Sequence, residues 1–578
     1  MSEGKLDEAD ALIRRSIELY QQRLGTDNPR FGGALKTLAT IETFRGRDRE
    51  AEGHYRQALA IDEKAVGPNS SAVADDFVNL APLLKRAGRF QDAKDALERA
   101  LAIKVSQFGS DSPMTTGAIL ALATTAYEVG NYADARKLAD RARQIQERTF
   151  GPEHYALAGS WIFAARLEIV QGKLDDAGTS IDHAAEIVAR TLPSEHPSNI
   201  GVLESKADLA RARGNKADAE QNLRSALSVA EKLFEPDYSV RRTAVDRLTG
   251  ELWAQGKLTE AEHLQREELS NVELKRGSDH SSTAIAARGL AAILGSSGRQ
   301  NEAAALYRRA LAIDERAFGA QSGQAAWDHF GLGSLFRRVG QFEEAQTEIN
   351  LARTAWESQG HLLAANLALE QLALLSFDRG APAEGIIYLK KMLNIAEQAV
   401  GYDGPALVAI LAQLGRFYLI ADQHEATEKI LVRITGLIGD SPPEQTPGYL
   451  NVLQLQAELN AERGDVAAAE AAFNRAIMVA TKYGGSQASA VGINSFNLAT
   501  VYLKAGRFQE AIGNYAKALD IFKRESGDRA PIVGYTLIGA AQAYAKIGDE
   551  PSSKALFATA VEILGPTFAA QRPPPRWL

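Results

Sequence analysis

The chain of 578 residues contains no cysteine. That absence excludes disulfides, zinc fingers and thiol catalysis, and it leaves the redox compartment undetermined. No run of 18 or more apolar residues occurs, so no segment reads as a membrane-spanning helix. The opening MSEGKLDEADALIRRS lacks the basic flank and apolar stretch of a signal peptide. Aromatic residues are few, at 7%, which with abundant alanine favours close-packed helices over a sheet core. A strong excess of one charge is missing as well. The net charge of −8 gives no electrostatic case for nucleic acid.

Catalytic and metal-binding patterns are equally scarce. Nine histidines are scattered, and none forms H-x-x-x-H or another metal-ligand spacing. His154, His196 and His280 share one offset within a repeat, which reads as a structural position. No phosphate-binding G-x-x-x-x-G-K-[ST] is present; the fragment Gly250 to Lys257 has the wrong spacing and no following hydroxyl. No G-x-S-x-G elbow and no G-x-G-x-x-G between strand and helix occurs. These absences lead to the expectation of a non-enzyme without cofactor or metal.

What the sequence does contain is one period. GRDREAEGHYRQALAIDEKAVG begins at Gly46, GRFQDAKDALERALAIKVSQFG at Gly88, GRQNEAAALYRRALAIDERAFG at Gly298 and GRFQEAIGNYAKALDIFKRESG at Gly506. The opening glycine recurs every 42 residues from Gly4 to Gly340. A step of 40 leads to Gly380, Asp422 replaces the glycine once, and Gly464, Gly506 and Gly548 restore the step of 42. Five residues after each mark stands a small residue, Ala51, Ala93 or Ala303 for example. Seven before it stands another, such as Ala39, Ala81 or Ala291, with Thr249 the largest. Small residues at fixed places on two helices let their backbones approach. The glycine ends the first helix in the left-handed conformation. Acidic residues four positions on (Glu50, Asp92, Glu302) and basic residues eighteen on (Lys64, Arg148, Arg316) complement the dipole of the second. A second breaker follows at Gly67, Gly109, Gly151, Gly277, Gly319, Gly401 or Gly527. Each repeat therefore reads as helix A, tight turn, helix B and loop, and no stretch reads as strand.

Small residue, glycine, alanine, aromatic and alanine at these offsets resemble the tetratricopeptide repeat. The period of 42 with A-L-A-I late in helix B is similar to the kinesin light chain type and its bacterial relatives. The resemblance implies an all-α, right-handed superhelical solenoid of about 13–14 antiparallel hairpins, with helix A residues lining a concave groove. The chain departs from kinesin light chains in having no heptad coiled coil and about twice their repeats, so kinesin binding is not carried over. The expected organisation is a regular array over 1–360, a continued array over 361–564 after the two-residue deletion near Gln359–His361, and an extended proline-rich tail over 565–578. A change of superhelical pitch is expected around 360–445, where Pro442, Pro443 and Pro447 make a proline-rich loop. Reading Gly4 as a turn glycine makes the chain open on a helix B without its helix A, and hence a fragment boundary or internal start.

By the same resemblance, groove positions lie 13, 10, 6, 3 and 2 residues before each mark. Trp253, Arg288, Trp327, Phe330, Arg337 and Arg338 fall there on three consecutive repeats. Arg166 and Arg211 extend the patch, while Asp208 and Asp246 interrupt it. Trp and Arg are common interface hot spots, and arginine suits a carboxylate. The expected function is a scaffold that binds extended protein or peptide segments in the groove, acidic ones fitting best. Partners exclude nucleic acid, and a cytoplasmic location is expected unless an upstream export signal is missing. The alternatives are a sensor array cut from a larger effector, which the flanking gene sequence would reveal, and an enzyme or enzyme-accessory subunit.

Overall fold

The computed structural model describes residues 3–44, 47–193, 195–234, 239–400, 407–438, 448–484, 489–528 and 530–565. Among these residues there are 27 α-helices, one short 3-10 turn at Pro113–Thr115 and no strand. The helices alternate as the repeat requires. Helix Glu3–Leu24 comes first, and thirteen A–B pairs follow, from Pro29–Phe44 with Asp48–Val66 to Pro531–Lys546 with Glu550–Leu564. Each hairpin is named below by its turn residue. Within the described residues no helix is long and apolar enough to cross a membrane.

The turns follow from backbone freedom. From Gly88 to Gly548 the mark glycines have positive φ, 79° at Gly88 and 83° at Gly548. Asp422, which replaces one of them, is held at φ 56°. Aspartate is among the few residues with a side chain that tolerate this region. Gly46 lies outside the described residues, as do Gly401 and the proline loop Pro442, Pro443 and Pro447. Gly4 departs from the expected turn: it lies inside helix Glu3–Leu24. That helix packs Ile17 and Tyr20 on Phe31, Leu35 and Ile61 of the next hairpin. His154, His196 and His280 are structural in the same way, each taking a backbone N–H at the start of a helix A on Nδ1, at 3.2, 3.2 and 3.0 Å.

The core runs along the array as a series of apolar clusters between neighbouring helices. The small residues form its closest seams: Ala39, Ala51, Ala93, Ala291 and Ala303 are fully buried. Gly333 marks one such close approach. A Cβ there would sit 2.5 Å from Ile349 Cγ1, 3.0 Å from Ile349 N and 3.1 Å from Ala345 O, and the last two are backbone atoms that cannot swing aside. Gly333→Ala is therefore expected to cost about 1–3 kcal/mol by overpacking. A thermal melt unchanged from the parent would show instead that the two helices can part freely.

The basic residues late in helix B do more than face a helix dipole. Lys64, Arg148, Arg190, Lys232 and Arg316 each pair with a carboxylate in the loop of the preceding repeat: Asp27, Asp111, Glu153, Glu195 and Asp279. Each pair is exposed and is worth well under about 1 kcal/mol, so the ladder sets register between neighbours more than it stabilises them.

The chain falls into two compact units: residues 1–211 with 217–402, and residues 212–216 with 403–578. The step of 40 lies inside the first. There the array meets itself after six hairpins: helix Asp48–Val66 touches Gln300–Phe318, and Tyr132–Phe150 touches Pro382–Val400. Between these contacts Gln324 Nε2 donates to Arg86 O at 3.3 Å, and the Phe90 and His361 rings lie 4.5 Å apart. A Cβ on Gly88 would overlap the Gln359 side chain. The deletion at 359–361 thus falls on a seam between successive turns, and the shortened loop brings His361 onto Phe90.

Candidate peptide-binding groove

Helix A residues that point along the array rather than into their own hairpin form the groove wall. Eight such side chains stood out in the sequence, and the structure divides them into three groups.

Arg211, Arg288 and Arg337 are internally neutralised. Arg288 is only 17% exposed and donates from Nε to Asp328 Oδ1 at 2.7 Å and from Nη2 to Asp314 Oδ2 at 2.5 Å. The same arrangement exists six repeats earlier, where Lys36 Nζ lies 2.6 Å from both Asp62 and Asp76. Burial pushes the carboxyl of Asp314 up to about 8 and raises that of Asp328, against the pull of Arg288. Arg337 reaches the following repeat, with Nη1 on Asp378 Oδ2 at 2.6 Å and Nε on Gln371 Oε1 at 3.2 Å. Arg211 bridges Glu251 at 2.9 Å and Asp208 at 3.1 Å, and Asp208 also binds Arg247 at 2.5 Å. Asp208 therefore cancels positive charge along this part of the wall.

Trp327 and Phe330 are packing residues. Both lie half-buried against the fully buried Trp356, at ring distances of 4.8 and 5.6 Å.

Arg166, Trp253 and Arg338 remain available. Trp253 is 45% exposed. Its Nε1 donates to Ser296 Oγ at 3.0 Å, and Arg338 Nη1 donates to the same oxygen at 2.9 Å. Ser296 in turn donates to Ala292 O at 3.1 Å. One hydroxyl thus ties together the A helices of three consecutive hairpins, Ser239–Ala254, Ser281–Ser296 and Gly323–Arg338. Arg338 has no carboxylate partner among the described residues. It is open to solvent yet closely surrounded by protein, as a side chain on a concave wall is, and this desolvation, with the nearby charge of Arg337, pulls its pKa below the usual arginine value. Arg166 is half-buried and likewise has no hydrogen-bonded carboxylate among the described residues.

The sequence passed over Ser296 because a serine two residues before a mark resembles the ordinary small groove residue. Its offset was the available signal. The combined surface offers an indole face, a hydroxyl and a guanidinium lacking a counter-charge. The chemistry it offers is stacking on an indole and charge-assisted hydrogen bonding to a carboxylate. Among the described residues no group of three or more His, Asp or Glu is placed to hold a metal.

Comparison with known families agrees with the hairpin geometry. A tetratricopeptide repeat model matches residues 1–64, 32–106, 252–316 and 490–564, and a second tetratricopeptide repeat model matches 115–156. The chain contains tetratricopeptide repeats. Among solved structures, this tetratricopeptide array is similar to a Podosopora anserina protein described as a kinesin light chain with nearly identical TPR-like repeats. That likeness has 23% identity and a TM-score of 0.30, over 36% of this chain and 97% of the other. The APC/C hetero-tetramer Cut9–Hcn1 matches at 13% identity and TM-score 0.49, over 97% of this chain and 93% of the other. A Rap protein complexed with Competence and Sporulation Factor matches at 12% identity and TM-score 0.43, over 64% of this chain and 98% of the other. No curated protein matches the array.

Proposed function

We propose that this tetratricopeptide protein is a scaffold that holds extended, acidic protein segments along its groove, with Trp253, Ser296 and Arg338 as the anchoring point. The observation that carries the reading is Arg338: an accessible guanidinium with no carboxylate partner among the described residues, one hydroxyl away from an exposed indole. Arg211, Arg288 and Arg337 have carboxylates of their own, so a ligand would have to displace these before it gained anything. Arg338 carries no such cost. Trp and Arg at the centre of a groove are also the residues whose truncation weakens interfaces most.

The test is a selection from displayed libraries of extended 12-residue peptides, one acidic and one basic in bias, against the full chain. The acidic library is expected to yield binders. Trp253→Ala and Arg338→Ala should each weaken them at least ~10-fold in calorimetry, with Arg338→Lys in between. Binders drawn equally from both libraries, or affinities unmoved by either truncation, would reject this anchoring point.

A further inference from the structure

One hairpin breaks the rule that the other hairpins share. Twelve residues after the mark, ten of the other twelve hairpins carry alanine, from Ala58 to Ala560. In the Gly256 hairpin that position is Glu268, only 1% exposed. Three residues earlier the other hairpins place Tyr, Leu, Ile, Phe or Ala, and this one places Gln265, which is fully buried. A larger, polar side chain has been put where neighbouring helices come closest.

The carboxylate is poorly served there. Neither oxygen of Glu268 accepts a hydrogen bond, and Gln265 Oε1 and Thr249 Oγ1 are also buried without one. Gln265 spends its amide on Asp246 Oδ1 at 3.4 Å and Ala286 O at 3.3 Å. Arg241 Nη1 stands 3.5 Å from Glu268 Oε2, at ion-pair rather than hydrogen-bond distance, and is itself shared with Glu231 at 3.7 Å. The charged groups around the site are known from each side. Helix Ser239–Ala254 contributes Arg241, Arg242 and Asp246, the host helix contributes Glu267, and helix Ser281–Ser296 contributes Arg288, which acts on Asp246. Burial outweighs the arginines and pushes the Glu268 carboxyl up to about 7. Asp246 is pushed up to about 6, again by burial. An ionised carboxylate without hydrogen bonds in a packed seam is unfavourable; a protonated one is tolerated.

We propose that the Gly256 hairpin is a proton-operated joint in the groove wall: with Glu268 protonated its helices close, and with Glu268 ionised the hairpin loosens and draws Trp253 away from Ser296. Trp253 stands on the same helix as Arg241 and Asp246, so movement of that helix is movement of the indole. The consequence for a ligand rests on the groove reading given above, whereas the joint itself does not. The sign is fixed by linkage. A carboxyl that is harder to ionise in the closed hairpin than in the open one favours closure at low pH. That preference is lost as the pH rises through 7.

Hydrogen exchange on the full chain, without ligand, tests the joint. Opening of residues 244–254 and 261–272, corrected for intrinsic exchange and referred to the Gly172 hairpin, is expected to increase about tenfold between pH 6 and pH 8. Glu268→Ala, the residue other repeats use, and Glu268→Gln should both abolish the increase and raise protection at pH 8. Equal opening at both pH values in the parent chain would overturn the proposal, and so would a pH response surviving in both variants. Calorimetry with the selected acidic peptides separates the two ideas. Their affinity should fall with pH in the parent and not in Glu268→Ala. An exchange response without an affinity response would overturn the coupling to the groove and leave the joint standing.

Discussion

Arg288→Met should destabilise the Gly298 and Gly340 hairpins by about 3–5 kcal/mol at pH 8, the range for stranding a buried charge. The arginine forms ion pairs with two carboxylates, Asp314 and Asp328, whose exposures are 1% and 0%. Removing it leaves two negative groups side by side in a dry seam. Both already have raised pKa values, so protonation relieves the damage, and the deficit should shrink at pH 5. Charge reversal at Arg288 would therefore unfold the site rather than report on ligand binding. Hydrogen exchange within helices Gln300–Phe318 and Gly323–Arg338 reports the loss locally. The repeat itself supplies a rescue, because the equivalent positions in other hairpins include apolar residues such as Leu120, Val188 and Ala118. Arg288→Leu, Asp314→Val and Asp328→Ala together should regain parental stability or exceed it, as apolar replacement of whole buried ion clusters can. A single Arg288→Met variant with unchanged stability at pH 8 would refute this account.

Trp356→Ala is the second large effect expected, at about 3–5 kcal/mol. The indole is fully buried, donates to Gly323 O at 3.4 Å and holds Trp327, Phe330 and His361 around it. Its loss opens a cavity and frees His361, whose pKa burial lowers to about 4 and whose ring supports Phe90 of the preceding turn. Urea denaturation followed by exchange at residues 90–108 should show those amides weakening too, though they lie some 250 residues earlier in the chain. A purely local loss around residue 356 would mean the seam between turns carries little of the stability.

The hairpins were legible in the sequence because each depends on residues close together in the chain. A glycine that must take positive φ, alanines where helices touch and a breaker 21 residues on are local requirements repeated many times. Even the one substitution, Asp422, falls on a residue able to meet the same backbone demand. The groove was legible as a position and not as a chemistry. Whether an arginine is free depends on carboxylates 26, 40 or 41 residues away, as for Arg288 with Asp314 and Asp328 and for Arg337 with Asp378. Asp314 and Asp328 sit at offsets where most repeats carry apolar residues, so the period conceals them. The seam between turns was hidden for another reason. It arises from a small rotation added at every repeat, and no single repeat encodes the sum.

That seam has a mechanical consequence. Arrays of stacked hairpins extend readily because each joint gives a little. In residues 1–402 the coils rest on one another at Phe90 and His361, at Gln324 and Arg86, and between the flanking helices. Tension along the axis meets these contacts before it reaches the joints. This stretch of the protein is a close-wound spring, stiff until its coils separate and compliant afterwards.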